Sequence, residues 1–176
     1  MKSTTKRASL KATVGAAAAA MLMTHVPQFE GMILRGYKDP IGIVTACAGH
    51  TKTAVFGRPY TIEECIELLI IDLVEHSEGV LKCTPKLKDK PYQLAAASSF
   101  AYNIGVGAYC RSTTARRFNA SNYAGACKAM NESDSGRPQW VYAGGKQLSG
   151  LVKRRAIERE ICETSLPESP KGPPIG

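Results

Sequence analysis

Six cysteines, Cys47, Cys65, Cys83, Cys110, Cys127 and Cys162, are spread along more than a hundred residues of this chain with no CxxC pair among them. The three histidines, His25, His50 and His76, make no metal-ligand cluster with them. An even count of scattered cysteines reads as a disulfide framework, which requires an oxidising compartment and therefore export. Six cysteines allow fifteen connectivities, and spacing does not choose among them.

The N-terminus carries the matching export signal. Lys2, Lys6, Arg7 and Lys11 precede the run Ala12–Val26, ATVGAAAAAMLMTHV, which holds no Asp, Glu, Lys or Arg. A basic flank followed by an apolar run marks a secretory signal or membrane anchor, with the positive flank held inside. The run is weak: seven of its fifteen residues are Ala or Gly, and Leu, Ile and Val supply three. Small residues offer A-x-A cleavage sites, but cutting there leaves an unusually short apolar core. An uncleaved segment that enters the bilayer and leaves it at modest cost is the expectation.

At 176 residues the chain has room for one domain plus tails. With 23 Lys+Arg against 15 Asp+Glu, the net charge of +8 suits an anionic partner such as nucleic acid, a membrane surface or cell wall. Aromatics are sparse and not interleaved with basic residues, which disfavours nucleic acid.

From Glu30 to Gly57, glycine and β-branched residues predict a small β element. Asp39-Pro40-Ile41-Gly42 fits a type I turn, with a strand at Ile43–Cys47. Thr61-Ile62-Glu63-Glu64 is a capping box, and Ile62, Cys65, Ile66, Leu69, Ile70 and Leu73 recur at three- and four-residue steps. A helix over 62–76 follows. Further helices are predicted at Tyr92–Asn103, Ser112–Phe118, Asn122–Met130 and Ser149–Glu163. Leu166–Gly176 includes four prolines and two glycines and reads as a disordered tail.

Two acids and a threonine, Glu30, Asp39 and Thr45, stand in the spacing E-x8-D-x5-T. Glycoside hydrolysis with inversion needs an acid to protonate the leaving oxygen and a polar group across the sugar to orient water. Glu30 joins an apolar stretch to the β element, a half-buried setting that suits a proton donor. Asp39 heads a turn, and Thr45 adds a hydroxyl on the next strand. Spacing alone does not separate these roles from a surface Glu and a turn-capping Asp.

The surrounding block does. EGMILRGYKDPIGIVTACAGHT (Glu30–Thr51) closely resembles the active-site block of glycoside hydrolase family 24, the phage lysozymes. SSFAYNIG (Ser98–Gly105), WVYAGGKQLSGLVKRRAIEREIC (Trp140–Cys162) and the Y-T-x2-E-C opening of the long helix extend the resemblance over roughly residues 27–163. Within the family the chain looks most like the signal-anchor-release (SAR) endolysins of phages infecting Gram-negative hosts. The one departure is Ala48, where the motif often carries a larger residue.

The resemblance implies an α+β, lysozyme-like fold, with a small β-containing lobe and a larger helical lobe joined by a long helix. It implies an anchor at 1–26, a catalytic domain at 27–163 and a tail at 164–176. Glu30 would be the general acid, with Asp39 and Thr45 holding the water that cleaves the β-1,4 bond between N-acetylmuramic acid and N-acetylglucosamine. No cofactor or metal is expected. The implied partners are peptidoglycan and, through the anchor, the host inner membrane, with release into the periplasm; a monomer and no nucleic acid are expected. A non-catalytic wall-binding module with the same fold is the alternative class. Cys47, Cys65, Cys127 and Cys162 recur in the SAR relatives, so the two extra cysteines should pair as Cys83–Cys110, leaving Cys47–Cys65 and Cys127–Cys162.

Four other positions carry expectations. Asp72 lies in Ile70-Ile71-Asp72-Leu73-Val74, too apolar a run for an unpaired carboxylate, and the turn holding His50 should fold back to pair with it. Arg154 and Arg155 read either as glycan-binding groups or as a solvated basic face. Tyr102 and Trp140 read as core residues rather than sugar platforms. No thiol precedes Cys47, so any control by the anchor is topological rather than by disulfide exchange.

Overall fold

The computed structural model describes residues 9–166. The expected basic N-terminus through residue 8, and the expected tail from residue 167 on, lie outside them.

The chain begins with helical residues 9–14 (α1), broken at Gly15 (φ 81°), followed by α2 (Ala16–Glu30). A hairpin follows, β1 (Ile33–Lys38) antiparallel to β2 (Val44–Cys47), with Tyr37 opposite Thr45 and Lys38 opposite Val44. The long helix α3 (Ile62–Cys83) leads to a 3-10 turn at Pro85–Leu87. Then come α4 (Pro91–Ile104), α5 (Val106–Arg111), α6 (Thr113–Asn119), α7 (Tyr123–Lys128), a short hairpin β3 (Tyr142–Ala143) and β4 (Lys146–Gln147), and α8 (Ser149–Glu163).

The architecture is the α+β arrangement expected. Helix α4 is its centre: Gln93 through Ala101 are buried without interruption, as in a helix covered on every side. Helices α2, α3 and α8 all pack on it, and its alanines and serines let them approach closely. The N-terminal segment belongs to this core. Leu10, Val14, Ala18, Leu22 and Val26, spaced four apart, are all buried in the main cluster together with Leu69, Leu73, Phe100 and Ala101. Burying one leucine contributes roughly 1.5–3 kcal/mol, so the row is a substantial part of the folded state. Val26 lies inside α2.

Local chemistry explains the elements. Thr61 accepts from the Glu64 N–H at 3.1 Å and the Glu64 carboxylate accepts from the Thr61 N–H at 2.9 Å, the capping box read from the sequence. Helix α3 runs about two turns past its expected end, to Cys83. Gly79 does not stop it; a Cβ there would meet the Val106 side chain at 2.6 Å, so the glycine admits α5. The β3–β4 hairpin, unforeseen, turns on Gly144 and Gly145, both at positive φ as a two-residue hairpin turn requires. Helix α5 was also not foreseen.

All three expected disulfides form. Cys47–Cys65 ties the hairpin to α3, Cys83–Cys110 ties the end of α3 to α5, and Cys127–Cys162 ties α7 to α8.

Candidate active site

Asp39 and Thr45 are brought together by the hairpin. The Gly42 N–H donates to the Asp39 carbonyl at 2.9 Å, closing the expected turn. Asp39 Oδ1 accepts from the N–H groups of Ile41 (3.0 Å) and Ile43 (2.8 Å), which holds the carboxylate in one orientation. The Asp39 N–H and the Thr45 hydroxyl both donate to the Ile43 carbonyl, at 2.9 and 3.2 Å. Asp39 is half-buried, whereas Thr45 is buried.

Glu30 is the last residue of α2, ended by Gly31 (φ 73°), whose N–H donates to the Pro27 carbonyl. Its carboxyl retains 21% exposure and pairs with the guanidinium of Arg154 from α8. The Phe29 ring lies 4.9 Å from that guanidinium. The other side of Glu30 meets the turn after β2. A Cβ at Gly49 would stand 3.6 Å from Glu30 Oε2, an ordinary contact distance, so it is the backbone, at φ 87°, that favours glycine there. The Tyr102 hydroxyl donates to the Ala48 carbonyl at 2.7 Å, fastening this turn to α4. Burial, then the negative charges of Asp72 and Glu30, push the Tyr102 phenol above its ordinary range.

The basic residues of α8 correct the earlier reading. Arg154 and Arg155 are neither glycan contacts nor a solvated face: they are 4% and 0% exposed. Arg154 donates through Nε to Glu158 Oε1 (2.9 Å) and through Nη2 to the Ser99 carbonyl (3.0 Å), besides its bond to Glu30. Arg155 pairs with Glu158 and Asn103 and lies 4.7 Å from the Phe100 ring. Burial lowers its pKa to about 10, against the opposing pull of Glu158. Sequence reasoning missed this cluster. Its local signal was the i,i+4 spacing of Arg154 and the i,i+3 spacing of Arg155 to Glu158 on α8.

His50 and Asp72 meet as expected, Nδ1 to Oδ2 at 2.8 Å, and His50 Nε2 reaches Thr53 Oγ1 at 2.8 Å. Tyr102 is packed against the core, and Trp140 stands edge-on to Phe100 at 5.5 Å between ring centres. Among the described residues no group of His, Cys, Asp and Glu is arranged to hold a metal ion.

A helical lobe, a small hairpin lobe, and a half-buried carboxyl at the end of α2 set against the turn after β2 make up a lysozyme-type architecture. Residues 27–158 match the family model described as phage lysozyme, and the chain belongs to that family: it is a lysozyme, a peptidoglycan-lysing hydrolase of the endolysin kind. It is similar to the SAR-endolysin of Bacteriophage PS119, 39% identical over 136 residues, 76% of this chain and 75% of that protein. It is similar in the same way to the SAR-endolysin of Enterobacteria phage P21, 40% identical over 136 residues, 76% of each. Among solved structures, it is similar to the muramidase domain of SpmX from Asticaccaulis excentricus. That match has a TM-score of 0.69 and 30% identity, covering 81% of this chain and 94% of that one.

Proposed function

We propose that Glu30 is the general acid of this lysozyme and that Asp39 and Thr45 place the attacking water. The bond is the β-1,4 link from N-acetylmuramic acid to N-acetylglucosamine, cleaved with inversion. The observation that carries the reading is the hairpin, where the Asp39 main-chain N–H and the Thr45 hydroxyl share the Ile43 carbonyl and whose following turn brings Gly49 to Glu30. Glu30, protonated, gives its proton to the leaving oxygen. Asp39, with Oδ1 fixed by two N–H groups, takes a proton from water on the opposite side of the sugar through its other oxygen. Thr45, already donating to Ile43, accepts a hydrogen bond from the same water. Glu30→Gln keeps the shape and removes the acid, so lysis of purified peptidoglycan should fall by about 10²–10⁴-fold. Retention of anomeric configuration in the product, or near-wild-type activity of this variant, contradicts the assignment.

The same reading includes a membrane-tethered precursor. Among the described residues no helix is long and apolar enough to cross a membrane. In the folded state the apolar run is interrupted at Gly15 and buried against α4. We read this as the released form. While Ala12–Val26 lies in the inner membrane, the row from Leu10 to Val26 is missing from the core, and Glu30 stands four residues from the bilayer end. Release into the periplasm lets α2 dock and carries Glu30 to Arg154 and Gly49. The SAR-endolysin relatives and the basic flank before the run support this order of events.

A further inference from the structure

Arg154 divides its charge between two carboxylates. One, Glu30, faces the cleft; the other, Glu158, is wholly buried one turn further along α8. Both oxygens of Glu158 are engaged by the cluster: Oε1 takes the Arg154 Nε–H at 2.9 Å and the Ser99 hydroxyl at 2.7 Å, and Oε2 takes Arg155. A buried carboxylate with this many charged and polar partners is costly to place. Helix packing alone would be served as well by an apolar side chain.

The chemistry of the site supplies a reason. A general acid must be able to hold a proton at working pH. A guanidinium that devotes its charge to Glu30 alone favours the ionised carboxylate and works against that role. Glu158 engages the same guanidinium from inside the protein and adds a negative charge behind it.

We infer that Glu158 is a positioning residue for the reaction: it holds Arg154 against α4 and takes a share of its charge, so that Arg154 orients Glu30 without keeping it from accepting a proton. The inference rests on the assignment of Glu30 as the acid. The other groups acting on Glu30 do not substitute for Glu158. Arg155 on α8 is positive, with Glu30 opposing the fall in its pKa. Tyr102 on α4 is a neutral phenol that feels both Glu30 and Asp72. Asp72 on α3 is hydrogen-bonded to His50 of the hairpin lobe, and His76 is turned toward the Asp72 carbonyl. Glu158 is thus the carboxylate that offsets Arg154 directly.

The test is Glu158→Gln in the full chain, which removes the charge but leaves an oxygen to accept from Arg154 Nε. The pH dependence of kcat/KM on purified peptidoglycan is measured together with a carbon NMR titration of the glutamate carboxyls. The Glu30 signal is assigned by its loss in Glu30→Gln. The Glu30 midpoint and the alkaline limb of the activity profile should both move down by about one pH unit, as expected when one charge is lost at this range. At neutral pH this is roughly a tenfold loss of activity. A Glu30 titration that stays in place or moves up overturns the inference, as does a uniform loss of activity at every pH. If Glu158→Gln does not fold, Ser99→Ala decides. Removing the Ser99 hydroxyl throws Glu158 more fully onto Arg154, so the Glu30 midpoint should rise by a few tenths of a unit, and no movement overturns the inference. If instead Glu30→Gln stays active, the acid assignment fails, while the NMR titration still reports whether Glu158 acts on Glu30.

Discussion

His50 of the hairpin lobe and Asp72 of the long helix are joined by a 2.8 Å hydrogen bond between Nδ1 and Oδ2, with both side chains nearly excluded from solvent. The pair is a strut between the lobe that carries Asp39 and Thr45 and the long helix, which carries none of the proposed catalytic groups. Asp72→Ala should destabilise the protein by about 1–3 kcal/mol, the usual cost of leaving a buried hydrogen-bonding group without its partner. Urea unfolding measures this. A loss below about 1 kcal/mol contradicts the strut.

The folded position of the apolar run separates its buried face from its exposed one. Ala16, Ala17 and Ala20 are exposed on α2, whereas Ala18 and Ala19 are buried. Replacing the three exposed alanines with leucine leaves the packed face untouched, and leucine is nearly as good a helix former as alanine. In a bilayer the same three changes favour the inserted state by roughly 1–2 kcal/mol. Cells producing the variant should keep the protein in the membrane fraction and lyse late, although the detergent-extracted and refolded enzyme is active. Lysis on the wild-type schedule contradicts the tethered precursor.

The Cys83–Cys110 bridge closes 27 residues between the end of α3 and α5, away from the hairpin that carries Asp39 and Thr45. Replacing both cysteines with alanine should lower stability by about 2–4 kcal/mol, from the freedom returned to the unfolded chain. Breaking Cys47–Cys65, which anchors β2 directly behind Thr45, should reduce activity as well as stability. Denaturant midpoints and peptidoglycan turnover of the two double variants, side by side, test the contrast.

Tyr102 and Tyr109 are held protonated mainly by burial, and Tyr109 also bonds to Thr84 Oγ1 at 2.8 Å. Both phenols are displaced upward from the ordinary tyrosine value near 10, so the unfolded chain loses these protons first as pH rises. Their contribution to stability is complete below about pH 10 and declines above it. Ultraviolet titration of phenolate should therefore show Tyr102 and Tyr109 ionising only with unfolding. Smooth titration of both with the fold intact is the opposing result.

How much was legible from the sequence depended on how far the interaction reached along the chain. The Asp39 turn, the Thr61 capping box and the start and end of α8 rest on contacts within a few residues, and each appeared where the residues called for it. The pairing of His50 with Asp72 could be argued across 22 positions because an aspartate inside an apolar helix face demands a partner. The place of the N-terminal run was open to two solvents: alanine, glycine and a few large apolar residues suit a bilayer weakly and a helix interface well. Only the presence of α4, with its own small residues, selects the second.

The partner of Glu30 lay beyond such reasoning. Arg154 is 124 residues away, and arginines on a helix next to Lys153 look like a surface strip until α8 is packed on α4. The family resemblance marked the candidate acid and the proposed water-placing pair, and residue type marked the local turns, because hydrogen bonds between near neighbours follow from short-range backbone geometry. The tertiary structure alone decided which charge meets Glu30 and what stands behind it. Those contacts exist only after α2, α4 and α8 have buried their apolar faces together and excluded the water that would otherwise screen them.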